Sequence, residues 1–156
     1  MIEQRLKELG LVLPEPTPPL YEYVPVVIHR GVAYISGQVP RIDGVVPFAG
    51  KVGQDVTIEQ AQQSAKLSVL KGLSCLKAAI GSLDNVEQVL KITGYVQSAP
   101  GFSQQSKVLD AASELLEQIF GEKGRHTRTA IGAAELPSNT SVEIDFVIAV
   151  KEEGGQ

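Results

Sequence analysis

Residues 124–150 read GRHTRTAIGAAELPSNTSVEIDFVIAV. Two runs of strand-forming residues, Thr127–Ala134 and Val142–Val150, flank a turn-rich segment at Leu136–Ser141. The pattern predicts two strands joined by a loop, a closing hairpin. Side chains alternate across a strand, so Arg128, Ala130 and Gly132 share one face of the first run. In the second run Glu143 and Asp145 lie opposite Val142, Ile144 and Phe146. A hairpin would let a guanidinium and a carboxylate converge. An arginine followed by small residues leaves room beside a planar five-donor fork, which suits bidentate capture of a small carboxylate. The same pattern also describes a strand-end arginine at the solvent boundary, paired with Glu143 or with nothing.

Upstream, the chain reads in alternating blocks. Ile2, Leu6 and Leu9 fall on one helical face and Gly10 supplies a stop, which predicts a short amphipathic helix over residues 2–9. PEPTPP at 14–19 predicts an extended connector. Glu22–Ile28 and Val32–Ser36 read as a strand pair turning at Gly31, with Pro25 marking an edge or a bulge. RIDGVVPFAGKVG, from Arg41, reads as loop with a turn at Asp43-Gly44. Thr57 and Gln60 form a capping box ahead of Ile58, Ala61, Ala65, Val69, Leu73, Leu76 and Ile80, one face of a long helix ended by Gly81. Val86–Gln97 reads as a strand, and a second helix runs from about Ser103 to Phe120. The order implies an α+β fold, a mixed β-sheet with two helices packed on one face. The strands Val24–Ile28, Val32–Ile35 and Phe146–Val150 are nearly continuous apolar runs. Two helices cover only one face, so the other predicts contact with another copy of the chain.

With 156 residues and 43% hydrophobic content, the chain is long enough to bury its own core. We expect one domain over 1–156, with the N-terminal helix and Pro-rich connector in 1–20 and a disordered tail at 152–156. The net charge of −4, with basic residues scattered, argues against nucleic-acid binding by phosphate neutralisation. Cys75 is the single cysteine, which excludes an internal disulfide and any Cys-Cys metal motif. No targeting peptide or membrane-length apolar run is visible, so a cytoplasmic protein without membrane contact is expected.

Arg128-Thr-Ala-Ile-Gly-Ala-Ala-Glu-Leu-Pro137, followed by Val142-Glu143-Ile144, resembles the C-terminal signature of the RidA family, also called YjgF or L-PSP endoribonuclease-like. Tyr23 and then Ser36-Gly37-Gln38-Val39-Pro40 resemble that family's N-terminal tyrosine and Ser-Gly-Gln-hydrophobic-Pro motif at the same separation. The two blocks bracket residues 23–146. The resemblance implies a chorismate-mutase-like fold and a homotrimer around a central barrel-like core, with clefts between subunits. It also implies hydrolysis of reactive enamines and imines, such as 2-aminoacrylate or 2-iminobutanoate, to 2-keto acids and ammonia, with neither metal nor cofactor. Carried over by position, Arg128 would clamp the substrate carboxylate and Glu143 would orient or activate water. Tyr23, Ser36, Gly37 and Ala130 would line the cleft.

The chain departs from the family pattern at three positions. Asp110 stands where the deaminases carry Asn and would compete with a substrate carboxylate for Arg128. Gly132 stands where they often carry Glu. His126, just ahead of the arginine, reads either as a second acid/base beside the substrate or as a loop histidine bonded to backbone. A non-catalytic carboxylate-binding or regulatory protein on the same scaffold is therefore the alternative to the hydrolase. An endoribonuclease ranks last on charge.

Overall fold

The computed structural model describes residues 1–18 and 22–152. The end of the expected connector and nearly all of the expected tail fall outside them. Helix α1 spans Ile2–Glu8, strands β1 and β2 span Val26–His29 and Val32–Gln38, and helix α2 spans Ile58–Ile80. Strand β3 (Val86–Gln97), helix α3 (Gln105–Phe120), and strands β4 (Thr127–Ala133) and β5 (Val142–Val150) complete the chain.

Helix α2 starts where the capping box places it. The Thr57 side chain accepts from the Gln60 amide at 3.1 Å, and the Gln60 side chain accepts from the Thr57 amide at 3.0 Å. Such a cap stabilises a helix start by roughly 1 kcal/mol. Ala61, Ala65, Val69, Leu73 and Leu76 lie fully buried along one stripe, as the 3.6-residue period requires. Helix α3 buries Val108, Leu109, Ala112, Leu115 and Leu116 against the same core. Between β1 and β2, Arg30 and Gly31 both take left-handed backbone angles (φ 50° and 74°). A two-residue loop with both centres left-handed matches the twist of paired strands.

The sheet order is β1-β2-β5-β3-β4. Strand β3 pairs antiparallel with β5 and parallel with β4, so it lies between the two runs of the signature stretch. The expected closing hairpin does not form. Residues 134–141 are instead a crossover that carries the chain past β3, through a short 3₁₀ turn at Pro137–Asn139. The physical reason is the length and burial of β3. Its twelve residues, with bulges after Val86 and after Val89, bury Val86, Val89, Ile92 and Val96 in the core, and both its edges need backbone partners.

Val142, Ile144, Phe146, Ile148 and Val150 face the helices. The opposite face is left open by this chain. It exposes Val27 (54%), Tyr34 (52%) and Ile131 (44%) around Glu143 and Asp145. Among the described residues, no helix is long and apolar enough to cross a membrane.

Helix and sheet touch most closely where Gly72 of α2 faces the Phe146 ring; a Cβ there would overlap the ring. Gly72→Val is therefore expected to destabilise the fold by about 1–3 kcal/mol through overpacking, read as a lower urea midpoint at an unchanged slope. An unaltered midpoint would mean that α2 does not lie this close to β5.

Candidate functional site

The residues singled out from the sequence fall into two groups on opposite faces of the sheet. Register explains the separation. Arg128 lies opposite Ile92, which lies opposite Phe146, so the arginine shares the helix-facing side. Glu143 lies opposite Tyr95 and projects to the open side. The convergence of Arg128 and Glu143 within one chain is therefore corrected: it required β4 and β5 to be neighbours, and β3 stands between them.

On the helix side, Arg128 donates through Nη1 to Asp110 Oδ1 at 3.0 Å and to Ser113 Oγ at 3.1 Å, and through Nη2 to the Ser106 carbonyl at 3.4 Å. All three partners belong to α3. The arginine side chain is 22% exposed and that of Asp110 is 55% exposed, so solvent screens the ion pair from one side. A guanidinium has five N–H donors, and these contacts engage three, leaving two without a partner among the described residues. His126 Nε2 lies 2.9 Å from Ser113 Oγ and its Nδ1 lies 2.6 Å from the Gly124 carbonyl. A carbonyl only accepts, so Nδ1 carries a proton; in the neutral imidazole Nε2 then accepts from the Ser113 hydroxyl. Ser113, which the sequence reading passed over, thus links His126 to Arg128. Ala130 is half-buried against the core on the same strand face. At Gly132 a Cβ would meet the Gln105 side-chain amide at 2.9 Å and Ser98 Oγ at 3.1 Å, so a larger residue there requires the Gln105 side chain to shift.

On the open side, a register shift between Ile35 and Gln38 makes a bulge of Ser36 and Gly37. The bulge brings the Gly37 backbone against the Glu143 carboxylate, so closely that any side chain at position 37 would collide with it. Only glycine allows that approach. Glu143 Oε1 is buried without a hydrogen-bond partner. Burial, reinforced by the charge of nearby Asp145, raises the Glu143 pKa above the usual glutamate value. Asp145 is also raised by burial, although a 3.0 Å bond from the Tyr95 hydroxyl and the charge of Lys91 oppose the shift. Tyr95 and Asp145 were not anticipated as part of the site. Their role depends on the β3–β5 register, and no local pattern in Val86–Gln97 announces it.

Ser36 forms the bulge with its amide bonded to the Pro25 carbonyl at 2.9 Å, and Tyr23 is 56% exposed near Gly37. Gln38 anchors the bulge from within. Its side-chain Nε2 donates to the Ser36 carbonyl at 3.1 Å, its side-chain oxygen accepts from the Thr17 hydroxyl at 3.0 Å, and its backbone carbonyl accepts from the Ser68 hydroxyl at 3.0 Å. The buried Cys75 thiol also points at that side-chain oxygen, at 3.7 Å. Among the described residues, no group of three His, Cys, Asp or Glu side chains could hold a metal ion.

The family described as YjgF/chorismate mutase-like, putative endoribonuclease, matches residues 3–150. Protein TCP17 of Trypanosoma cruzi is 36% identical over 148 residues, covering 94% of this chain and 92% of its own. The crystal structure of Atu1372 from Agrobacterium tumefaciens, a protein of unknown function, superposes with a TM-score of 0.89 at 42% identity, covering 97% of this chain and 94% of that one. E. coli TdcF with bound serine superposes with a TM-score of 0.60 at 22% identity, covering 90% and 96%, a likeness of fold alone. With a match over nearly its whole length, two long-range relatives at more than a third identity and the mixed five-stranded sheet under two helices, the chain belongs to the YjgF/chorismate mutase-like family.

Proposed function

We propose that the protein hydrolyses small carboxylate-bearing enamines and imines, such as 2-aminoacrylate or 2-iminobutanoate, to 2-keto acids and ammonia. The observation that carries this reading is Glu143, a carboxyl group with a buried, unpartnered oxygen and a raised pKa, held against a glycine backbone. A carboxyl whose proton is held more tightly than usual is suited to act as a general acid and, once ionised, as a general base. Protonated, it delivers a proton to the terminal carbon of an enamine and converts it to an iminium. Ionised, it takes a proton from water as the water oxygen bonds to the iminium carbon. The carbinolamine then transfers a proton to nitrogen, the C–N bond breaks, and ammonia leaves the keto acid. An imine is already electrophilic, so positioning and proton transfer supply most of the required acceleration.

The carboxylate clamp in this reading is Arg128, oriented by Asp110 and Ser113 with two N–H donors to spare. Because Arg128 and Glu143 of one chain lie on opposite faces, one copy's arginine serves the carboxylate of the next. The open face with Val27, Tyr34 and Ile131 supports such an assembly, which we take to be a homotrimer. The fold likeness to TdcF with bound serine is consistent with a ligand that carries a carboxylate beside nitrogen. The Asp110–Arg128 ion pair favours a second reading, a carboxylate binder without turnover. Ammonia release from freshly generated 2-aminoacrylate separates the two, since a binder leaves the rate at its buffer value.

Variants at the two groups should behave differently. Arg128→Lys keeps the charge but loses the planar fork, so it should impair the reaction nearly as much as Arg128→Ala, by about tenfold to a hundredfold. Glu143→Gln should retain binding of 2-ketobutyrate while turnover falls. Wild-type ammonia release from Arg128→Ala would remove the clamp from the reading.

Tyr34→Asp is expected to convert the assembly to monomers in sedimentation equilibrium, with its circular dichroism spectrum unchanged and ammonia release lost. A trimer that survives the change would show that this face is not the one that assembles.

Glu143 and Asp145 also make a pH prediction. Both pKa values are raised on folding, so the stability they contribute is fully present below the unfolded carboxylate range, about pH 4. It is lost as pH rises through the folded values. The stability advantage of the Glu143→Gln/Asp145→Asn protein over wild type should therefore grow from about pH 4 toward neutrality. Urea midpoints at fixed protein concentration measure it; an advantage independent of pH would mean that the two carboxyls are not desolvated.

A further inference from the structure

Gly37 borders a second space besides the Glu143 carboxylate. A cavity of about 590 Å³ opens between the Pro-rich connector, the loop after β2 and helix α2, with Tyr23, Gly37, Arg41 and Lys71 in its wall. That volume lies within the range of small-molecule sites, roughly 300–1,000 Å³. Lys71 Nζ donates to the Arg41 backbone carbonyl at 2.9 Å, which fixes the ammonium beside the residue that carries the second cation. The Arg41 guanidinium donates to Ser138 Oγ on the crossover. Among the described residues neither cation forms an ion pair.

Two half-buried cations that face one cavity without an ion-pair partner repel each other and lack full hydration. Burial holds Lys71 below the usual lysine range, an effect that Cys75 opposes and Arg41 reinforces. Glu15 and Asp43 also line the cavity, but both are exposed, so water screens them, and neither pairs with a cation. Lys71 keeps two ammonium donors beyond its bond to the Arg41 carbonyl, and an anion between the cations would satisfy them.

We propose that this cavity is a subsite for a distal acidic group, with Lys71 and Arg41 as its receivers, so that the preferred substrate is a dicarboxylate. One carboxylate flanks the reacting carbon and the second reaches past Gly37 into the cavity. This rests on the Arg128 and Glu143 reading above and names the substrate class for that site. A monocarboxylate fills only the part beside Gly37 and leaves the cations unneutralised.

Calorimetric titration of the assembled protein with 2-oxoglutarate and with 2-ketobutyrate tests it, using the ratio of the two affinities as the readout. Wild type is expected to favour 2-oxoglutarate by about tenfold or more, the size of one charge-assisted contact. Lys71→Gln and Arg41→Gln should each bring the ratio toward unity, and Lys71→Arg should retain most of it. Thermal melts of the variants check that folding is intact, and the Lys71→Arg protein separates loss of charge from loss of packing. Equal affinities in wild type, no binding of either acid, or parallel weakening of both acids in Lys71→Gln would each overturn the subsite. So would inorganic phosphate that binds the protein without weakening 2-oxoglutarate, because the cations would then serve a separate anion. Arg128→Ala distinguishes this failure from that of the parent reading. If it leaves both affinities unchanged while Lys71→Gln still abolishes the preference, the clamp fails and the acidic-group site stands.

Discussion

The antiparallel pairing of β3 with β5 is the constraint on which the arrangement depends. It runs from Val86↔Val150 to Val96↔Val142 and occupies one whole edge of each strand. With that edge taken, β5 has only β2 for its other neighbour, and β4 can join the sheet only alongside β3, in parallel. Parallel strands need a long crossover, and helix α3 provides it between β3 and β4. The same helix then lies over β4, which explains why the guanidinium of Arg128 meets side chains of α3 and not the carboxylate fifteen residues downstream. The electrostatic layout of the site is thus a consequence of strand order.

That layout puts the arginine and the two carboxyls of β5 on opposite faces. Arg128 and its partner Asp110 sit under α3, while Glu143 and Asp145 share the other face with Tyr95, Lys91 and apolar side chains. Two carboxyls brought together in a partly dry setting hold their protons more tightly than free ones do. A sheet is a thin wall, and this one keeps a fixed positive group from neutralising an adjustable acid.

Much of this was legible in the sequence. The capping box at Thr57 and Gln60, the stripe from Ala61 to Leu76 and the stop at Gly81 locate α2, because a helix is specified by residues close in the chain. Val86–Gln97 and Val142–Val150 were also placed from local pattern, and Gly31 from its turn. The pairing of those strands was not legible. Thr127–Ala134 and Val142–Val150, separated by a turn-rich segment, look locally like a hairpin; only the burial demand of a third strand, β3, decides otherwise. For the same reason Glu143 and Gly37 were picked out individually, but their mutual contact, the part of Tyr95 and the unpaired Lys71 needed long-range register.

Gln38 ties the Ser36–Gly37 bulge to the Pro-rich connector through Thr17 and to α2 through Ser68. Those bonds place three segments distant in sequence under one lock. Freeing the connector there strips a buried amide of its partner, and the bulge that seats the Glu143 carboxylate loses its inner support with it. One side chain therefore couples the seat of the Glu143 carboxylate to a helix and to a connector that lie far from it in the chain.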